Sequence, residues 1–172
     1  MKSAVLVAIF MLSTVSAVFS PWKIVITTKD EPGESMVVTG RVLAPDGKTP
    51  VEGIRVHVYH TDAKGYYNHG TTSSKNPRLK GTMLTNGEGR YEYRTIRPAS
   101  YPRSRNPAHV HYVITGKGYT EQYDELEFDG DPYLTEEAME KSKKLGTFGV
   151  IQKLQRDADG IWMGTKDILL KK

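Results

Sequence analysis

The sequence predicts an all-β fold: a single β-sandwich domain of mixed or antiparallel short strands, with long site-forming loops and one short helix. Short runs in which apolar and polar residues alternate recur along the chain, as in half-buried strands. Turn signals separate these runs at "PDGKTP" (45–50), "TNGEGR" (85–90) and "DADG" (157–160). Helical periodicity is confined to 135–144. Many short strands at regular spacing are typical of a β-sandwich.

The N-terminal stretch is expected to lie outside this domain. A basic start at 1–2 is followed by an unbroken apolar run, "AVLVAIFML" (4–12), and by the small residues of "STVSA" (13–17). This order is that of a secretory signal, and the run is shorter than the roughly 20 apolar residues of a membrane span. Cleavage after Ala17 would leave a domain at 18–172. We therefore expect a secreted or periplasmic protein. The alternative, an N-terminal helix of the fold, lacks an amphipathic pattern.

Composition narrows the classes of partner. The 172 residues carry a formal net charge of +4, with the basic residues scattered among acidic ones. A nucleic-acid partner is not expected, because no basic run with interleaved aromatic residues is present. The chain has no cysteine, so its stability depends on core packing and not on disulfides. The oligomeric state is left open, a homo-oligomer included.

Four segments are predicted as strands from their alternation and their flanking turns. They are "SMVVTGRVLA" (35–44), "GIRVHVYHTD" (53–62), "YEYRTI" (91–96) and "HVHYVIT" (109–115). A hairpin with its tip at 157–160 is predicted between "GVIQKLQR" and "IWMGTKDILL". Tyr59 alternates with the apolar residues of its strand, and it is interpreted as an aromatic residue of the sandwich core.

The predicted helix and the long loops complete the domain. Thr135 is the expected N-cap of the helix at 135–144, with acidic residues in its first turn and lysines in its last. The loops at 63–80 and 97–108 are long for a sandwich. Binding and catalytic residues concentrate on such loops when a rigid scaffold positions them.

A candidate metal site begins with two histidines one residue apart. His109 and His111 share one face of their strand, because side chains on a strand alternate. An isolated pair of this kind is also compatible with surface or hydrogen-bonded histidines. Tyr101 lies in a proline-bounded loop and Tyr67 follows a glycine turn. On their own, loop tyrosines are usually packing residues, but their combination with the histidine pair favours a metal. Two imidazoles with two phenolates form a hard, anionic donor set that suits Fe(III) better than zinc.

Several segments resemble landmarks of the intradiol ring-cleavage dioxygenases, in particular the protocatechuate 3,4-dioxygenase type. They occur in the order of that family and cover about residues 35–170. The landmarks are "GRVLAPDGKTPVEGIRVHVYHTDAKGYY", "LTNGEGRYEYRTIRPASYP", "NPAHVHYVITG", "LEFDGDPY" and "RDADGIWMGTKDILL".

The resemblance implies both a cofactor and a reaction. It implies one non-haem Fe(III) bound by four residues of this chain: Tyr67, Tyr101, His109 and His111. It also implies that Tyr101 is displaced when the substrate, a small aromatic diol, chelates the iron. The ring would then open with O2 between its two hydroxylated carbons, giving a muconate-type diacid.

Two departures from the family pattern concern the substrate side of the site. Asn106 stands where the family usually has an arginine beside the substrate ring, and Glu125 stands where it often has a glutamine that partners the arginine. Arg105 is the candidate substitute, and an inward Arg105 would pair with Glu125. The residues expected to act in catalysis are therefore Tyr101, Asn106, Arg105 and Glu125.

Two other functions stay open at the level of sequence. One is a non-catalytic module that binds iron or catechols on the same sandwich, which the departures at Asn106 and Glu125 favour. The other is a purely structural sandwich of the transthyretin-like or carboxypeptidase-regulatory sort, which the four intact ligands oppose. Consumption of O2 by metal-loaded protein with a panel of catechols would separate them.

Overall fold

The computed structural model describes residues 21–172, and these form a β-sandwich of two sheets, as predicted. The predicted signal segment and the start of the domain at Val18 lie outside the described residues. The strands are β1 (Lys23–Val25), β2 (Ser35–Leu43), β3 (Arg55–His60), β4 (Leu79–Leu84), β5 (Arg90–Ile96), β6 (His109–Thr115), β7 (Gln122–Phe128), β8 (Ile151–Gln152), β9 (Gln155–Arg156), β10 (Trp162–Thr165) and β11 (Ile168–Leu169).

Each sheet has a mixed strand order. The first sheet runs β1-β5-β2-β10-β9, and β11 pairs farther along β2. The second runs β4-β3-β6-β7-β8. The antiparallel pairs are β2 with β5, β3 with β4, β3 with β6, β6 with β7, and β9 with β10. The parallel pairs are β1 with β5, β8 with β7, and both β10 and β11 with β2. The mixed character predicted for the sandwich is confirmed.

The locally patterned elements lie where the sequence predicts them. Strand β6 has the predicted bounds, β2 and β5 differ from prediction by one residue at one end, and β3 is shorter than predicted by two residues at each end. The hairpin tip at 157–160 joins β9 to β10. Helix α1 spans Glu136–Lys144, and the Thr135 hydroxyl accepts a hydrogen bond from Ala138 N at 3.2 Å. A short 3-10 helix, Gly146–Phe148, follows.

Strands β4 and β7 are not predicted by sequence pattern. Strand β4 carries "LKGTML", in which glycine and lysine interrupt the alternation, and β7 carries "QYDELEF", which is mostly polar on its outer face. Both pair along nearly their full length with β3 or β6. Pairing with a neighbouring strand therefore determines them more than local propensity does, as is usual in sheets.

The space between the sheets holds aliphatic residues together with three buried tyrosines. Tyr93 and Tyr112 share a hydrogen bond at 2.7 Å across the sandwich, and Tyr91 donates to the Lys166 carbonyl at 2.5 Å. Lys166 is fully buried, and its Nζ lies 2.8 Å from Asp124 Oδ2. These buried polar groups are thus paired, as burial requires, and they fix the two sheets relative to each other.

The outer face of the second sheet carries the residues that matter for function. In the register of the strands, Tyr59 on β3 lies beside His111 on β6, and His111 lies beside Glu125 on β7. These three side chains form one row across the sheet. The loops that follow β3 and β5 bring two further side chains, Tyr67 and Tyr101, to His111 in this row. No helix among residues 21–172 is long and apolar enough to cross a membrane.

Candidate metal centre

Strand β6 supplies two imidazoles that point to the same place. The Nε2 atoms of His109 and His111 are 3.0 Å apart. The Nδ1 atom of His109 lies 2.7 Å from the Pro107 carbonyl. A carbonyl only accepts, so Nδ1 carries the proton and Nε2 keeps its lone pair free. Burial lowers the pKa of His109, which favours the neutral ligand form.

Glu125 fixes the orientation of the His111 ring. Its Oε1 lies 3.1 Å from His111 Nδ1, which directs His111 Nε2 toward the other donors. The hydrogen bond from His111 lowers the pKa of Glu125, so the carboxylate is ionised at neutral pH. A carboxylate on the far nitrogen of a ligating imidazole fixes its orientation and strengthens it as a ligand.

The loop after β3 positions Tyr67. The residue is only 2% exposed, and its phenol oxygen lies 2.7 Å from His111 Nε2. Its backbone is held from both sides, because Tyr67 N donates to the Thr71 carbonyl at 3.0 Å and its own carbonyl accepts from Arg78 N at 2.9 Å. The structure therefore fixes this tyrosine at both its backbone and its hydroxyl.

The loop after β5 brings Tyr101 to the same point. Its phenol oxygen lies 2.6 Å from that of Tyr67, 2.9 Å from His109 Nε2 and 3.4 Å from His111 Nε2. The segment then turns sharply, with Ser104 N donating to the Tyr101 carbonyl at 3.1 Å. Arg103 takes φ 61° in this turn, the position of a type II turn that glycine usually fills. All four predicted ligands thus converge.

The donor set fits Fe(III). Each of the four donor atoms lies within 3.4 Å of at least two others, so one ion can contact all of them. Burial raises the pKa of both phenols, that of Tyr67 far above its ordinary value, so a strongly charged ion is needed to replace their protons. Two phenolate oxygens with two imidazoles favour a hard trivalent ion.

Within residues 21–172, His109, His111 and Glu125 form another grouping that could hold an ion, with ligand atoms within 4.8 Å of one another. Its geometry is looser than that of the tyrosine set. Glu125 also already accepts the hydrogen bond of His111 Nδ1, on the edge of the ring away from the other donors. The four predicted ligands therefore describe the site better.

The pairing predicted between Arg105 and Glu125 is not found. Arg105 is exposed, and within residues 21–172 the ion pair of Glu125 is made with His111. Strand pairing explains this difference, because it sets Glu125 directly opposite His111. Strand β6 begins only at His109, so strand alternation does not extend back to Arg105. Asn106 is exposed as well, and its backbone N donates to Ser104 Oγ at 3.1 Å.

Tyr59 is a site residue that the sequence interpretation placed wrongly. It lies on the outer face and not in the core, and its ring stacks on His111 with centroids 4.6 Å apart. Together with Tyr123, Asp124 and Glu125 it lines an open cavity of about 310 Å³ beside His111. Its alternation with the apolar residues of β3 was the signal that could have placed it outside.

Comparisons with known proteins agree with this geometry. Residues 20–166 match the family model described as Dioxygenase. A hydroxyquinol 1,2-dioxygenase of Rhizobium sp. is 31% identical over 74% of this chain and 49% of its own length. The protocatechuate 3,4-dioxygenase beta chain of Burkholderia cepacia is 35% identical over 59% of this chain and 48% of its own. The chain spans about half the length of these curated relatives.

Solved structures support the fold. The dioxygenase domain of a dioxygenase and carbohydrate-binding protein fusion from Streptomyces sp. SirexAA-E aligns with TM-score 0.68 and 22% identity, covering 94% of this chain and 96% of that one. Catechol 1,2-dioxygenase from Pseudomonas arvilla C-1 aligns with TM-score 0.70 and 22% identity, covering 93% and 59%. At these identities the likeness concerns the sandwich and its strand order.

Proposed function

Because the chain belongs to the intradiol ring-cleavage dioxygenase family, we propose that it is a non-haem Fe(III) enzyme acting on a catechol-like aromatic. With O2 it would open the ring between the two hydroxylated carbons and release a muconate-type diacid. The convergence of Tyr67, Tyr101, His109 and His111 carries this proposal.

Each ligand has a distinct part in this proposal. His109 and His111 hold the ion through Nε2, and Tyr67 is the permanent phenolate. Tyr101, which is less buried than Tyr67, is the group that gives way to an incoming catechol and takes up one of its protons at Oη. Bound iron would supply Lewis acidity and a template for the two catechol oxygens.

The site lacks a positive charge that the family usually places beside the substrate. With Asn106 in place of the family's arginine, no cation is supplied at that position, and Arg105 does not turn inward to replace it. Loss of one well-placed transition-state donor typically costs about 10² to 10³ in rate. We therefore expect slow ring opening with catechol binding intact. Asn106→Arg should raise the rate, and Arg105→Ala should leave it nearly unchanged.

A non-catalytic iron- or catechol-binding module is the second candidate. Asn106 and the ionised Glu125 favour it, because neither adds the positive charge that would stabilise a ring becoming negative. Binding of a catechol needs only the ion and a displaceable tyrosine. Both candidates therefore predict the same complex, and they differ only in whether product forms.

One experiment separates the two candidates. Iron-loaded protein should be coloured by tyrosinate-to-iron charge transfer, and its visible spectrum should shift when a catechol binds. O2 uptake and chromatography of the product then report turnover, with His109→Ala as the control that should lose most of the iron. A shift without any ring-opened product from a panel of catechols would favour the binding module. A colourless protein that takes up only zinc would contradict the ligand assignment.

The N-terminal pattern supports a proposal about location. The basic start, apolar run and small residues at 13–17 favour export, with a mature N-terminus at Val18. N-terminal sequencing of the protein recovered from the medium or periplasm of its native host tests this. Intact Met1 on protein from the cytoplasm would contradict it.

A further inference from the structure

Two hydrogen bonds join the loop that carries Tyr67 to the loop that carries Tyr101. The Thr61 hydroxyl donates to the Ala99 carbonyl at 2.7 Å, and Ala99 N donates to the Asp62 carbonyl at 3.1 Å. Thr61 is only 2% exposed, so its hydroxyl is shielded from competing water. We call these three residues, Thr61, Asp62 and Ala99, the loop joint. Ala99 lies two residues before Tyr101, so the loop joint restrains the backbone close to that tyrosine.

Asp62 also organises the Tyr67 side of the joint. Its backbone N donates to the Tyr66 carbonyl at 2.8 Å, and its Oδ1 accepts from Lys64 N at 2.9 Å and from Tyr66 N at 3.0 Å. Gly65 has φ +84°, and a Cβ there would collide with the Ser100 carbonyl. The backbones of the two loops are therefore in contact, so a displacement of one loop would shift the other.

A fully buried histidine, His60, is hydrogen-bonded to one residue of the loop joint. His60 Nδ1 lies 2.7 Å from the Thr61 carbonyl, and its Nε2 lies 2.7 Å from Thr95 Oγ1. The carbonyl can only accept, so Nδ1 donates and Nε2 accepts from the Thr95 hydroxyl. Thr95 belongs to β5, the strand that leads into the Tyr101 loop. The joint is thus fixed to the strands on both sides of it.

We propose that the Thr61 hydroxyl is a positioning group for Tyr101, setting the balance between Tyr101 held against the other three ligands and Tyr101 released. This inference rests on the proposed function, in which Tyr101 gives way to a catechol. Tyr67 has backbone hydrogen bonds on both sides of its own residue, whereas Tyr101 depends on Ala99 and on the turn after it. Loss of the hydroxyl would leave the Ala99 carbonyl without this partner and free the Tyr101 loop.

The chain offers a matched control for Thr61→Val. Thr85 is 3% exposed, and its hydroxyl also donates to a distant carbonyl, that of Val51, at 2.7 Å. It accepts from Ile54 N at 2.9 Å, beside the start of β3, whereas Thr61 follows the end of that strand. Thr85→Val therefore removes a buried hydroxyl of the same kind far from the site. Thr61→Ser keeps the hydroxyl and should restore the wild-type behaviour.

Three readouts on iron-loaded protein test the proposal. In Thr61→Val the absorbance of the tyrosinate band per bound iron should fall toward that of Tyr101→Phe. Catechol affinity from spectral titration should rise about fivefold, the change that one ordinary hydrogen bond corresponds to. Hydrogen exchange of the peptide containing Ala99 should become faster. Thr85→Val should lower thermal stability and leave the band, the catechol affinity and the exchange at Ala99 unchanged.

The outcomes distinguish the positioning role of Thr61 from the proposed function on which it rests. Absence of a tyrosinate band in wild-type protein would overturn the proposed function. A normal wild-type band with Thr61→Val indistinguishable from Thr85→Val would overturn the positioning role alone, and so would a weaker catechol affinity in Thr61→Val. Should Thr61→Val fail to fold, Thr61→Ala removes the same hydroxyl without adding a methyl group to a polar pocket, and an unchanged band in that variant would overturn the proposal.

Discussion

The two tyrosine segments supply the same chemical group under different mechanical constraints. Tyr67 is almost fully buried and bonded through its backbone N and carbonyl to Thr71 and Arg78. Tyr101 is half-buried, in a loop whose backbone is tied at Ala99 and turns at Arg103 in a conformation unusual for a side-chain-bearing residue. We therefore expect the backbone, and not the donor atom, to set how permanently each tyrosine would hold an ion.

The rings differ in their surroundings as well. The Tyr67 ring lies among Tyr59 and His111, with centroids 6.0 Å and 6.1 Å away. The Tyr101 ring meets His109 edge-on, with centroids 5.2 Å apart. Both tyrosines come from loops, but the Tyr67 ring packs against Tyr59 and His111 on the face of the sheet. We therefore expect that displacing the Tyr101 ring would disturb less packing than displacing the Tyr67 ring.

The largest expected effect concerns His60, which is hydrogen-bonded to Thr61 of the loop joint. Burial lowers the pKa of His60 from its ordinary value of 6.5 to about 4. Between these values the unfolded chain binds the proton and the folded chain does not, so stability falls as pH decreases from about 6.5 to about 4. The full contribution is about 3 kcal/mol. Urea unfolding of iron-free protein across this range measures it.

The control for this prediction is a second histidine on the same strand. His60→Gln should flatten the dependence of stability on pH, whatever its effect at neutral pH. His57→Gln should change the slope much less, because His57 is only partly buried, although burial lowers its pKa in the same direction. Parallel curves for wild type and His60→Gln would show that the pKa of His60 is the same in the folded and the unfolded chain, which would contradict the prediction.

The next effect compares the two tyrosines directly. Tyr67→Phe should weaken iron binding by about 100-fold and Tyr101→Phe by about 10-fold, since the packed segment holds its phenolate in place and the freer one does not. Competition with a chelator measures both affinities. Tyr101→Phe should also still bind catechol. Equal losses in the two variants would mean that the backbone constraints described above do not determine the strength of the ligand.

A smaller effect is expected at Glu125. Glu125→Gln keeps a group that can accept from His111 Nδ1 and removes the charge, so iron affinity should fall by about 10-fold, at the low end of the range for partners of metal ligands. Glu127→Gln, one row away on the same face of β7, is the matched control and should change affinity less. If Glu125→Gln binds iron as wild type does, the charge of Glu125 has no part in holding His111.

The smallest effect tests the strained turn after Tyr101. Arg103→Gly should stabilise the protein by roughly 0.5 kcal/mol, because glycine accepts the positive φ without steric cost but loses more entropy on folding. This corresponds to a rise in melting temperature of about 1 to 2 °C. Arg105→Gly, in the same loop but at negative φ, should destabilise slightly. Destabilisation by Arg103→Gly would mean that the arginine side chain itself contributes to the fold.

Sequence alone determined much of the scaffold and of the ligand set. The strands β2, β3, β5 and β6 and the cap of α1 are local patterns, because period-two alternation and a hydroxyl before an acidic turn act within a few residues. His109 and His111 share a face for the same reason. Tyr67 and Tyr101 were found through their resemblance to family landmarks, since no spacing in the sequence relates two loops 34 residues apart.

Tertiary structure decided which residues meet. The partner of Glu125 is His111 and not Arg105, because the register of β6 with β7 aligns residues that are 14 apart in sequence. The stacking of Tyr59 on His111 and the bond from Thr61 to Ala99 depend equally on strands brought together from distant parts of the chain. Side-chain alternation is encoded within each strand, but register is set by packing both sheets around one core, and that can be read only from the folded molecule.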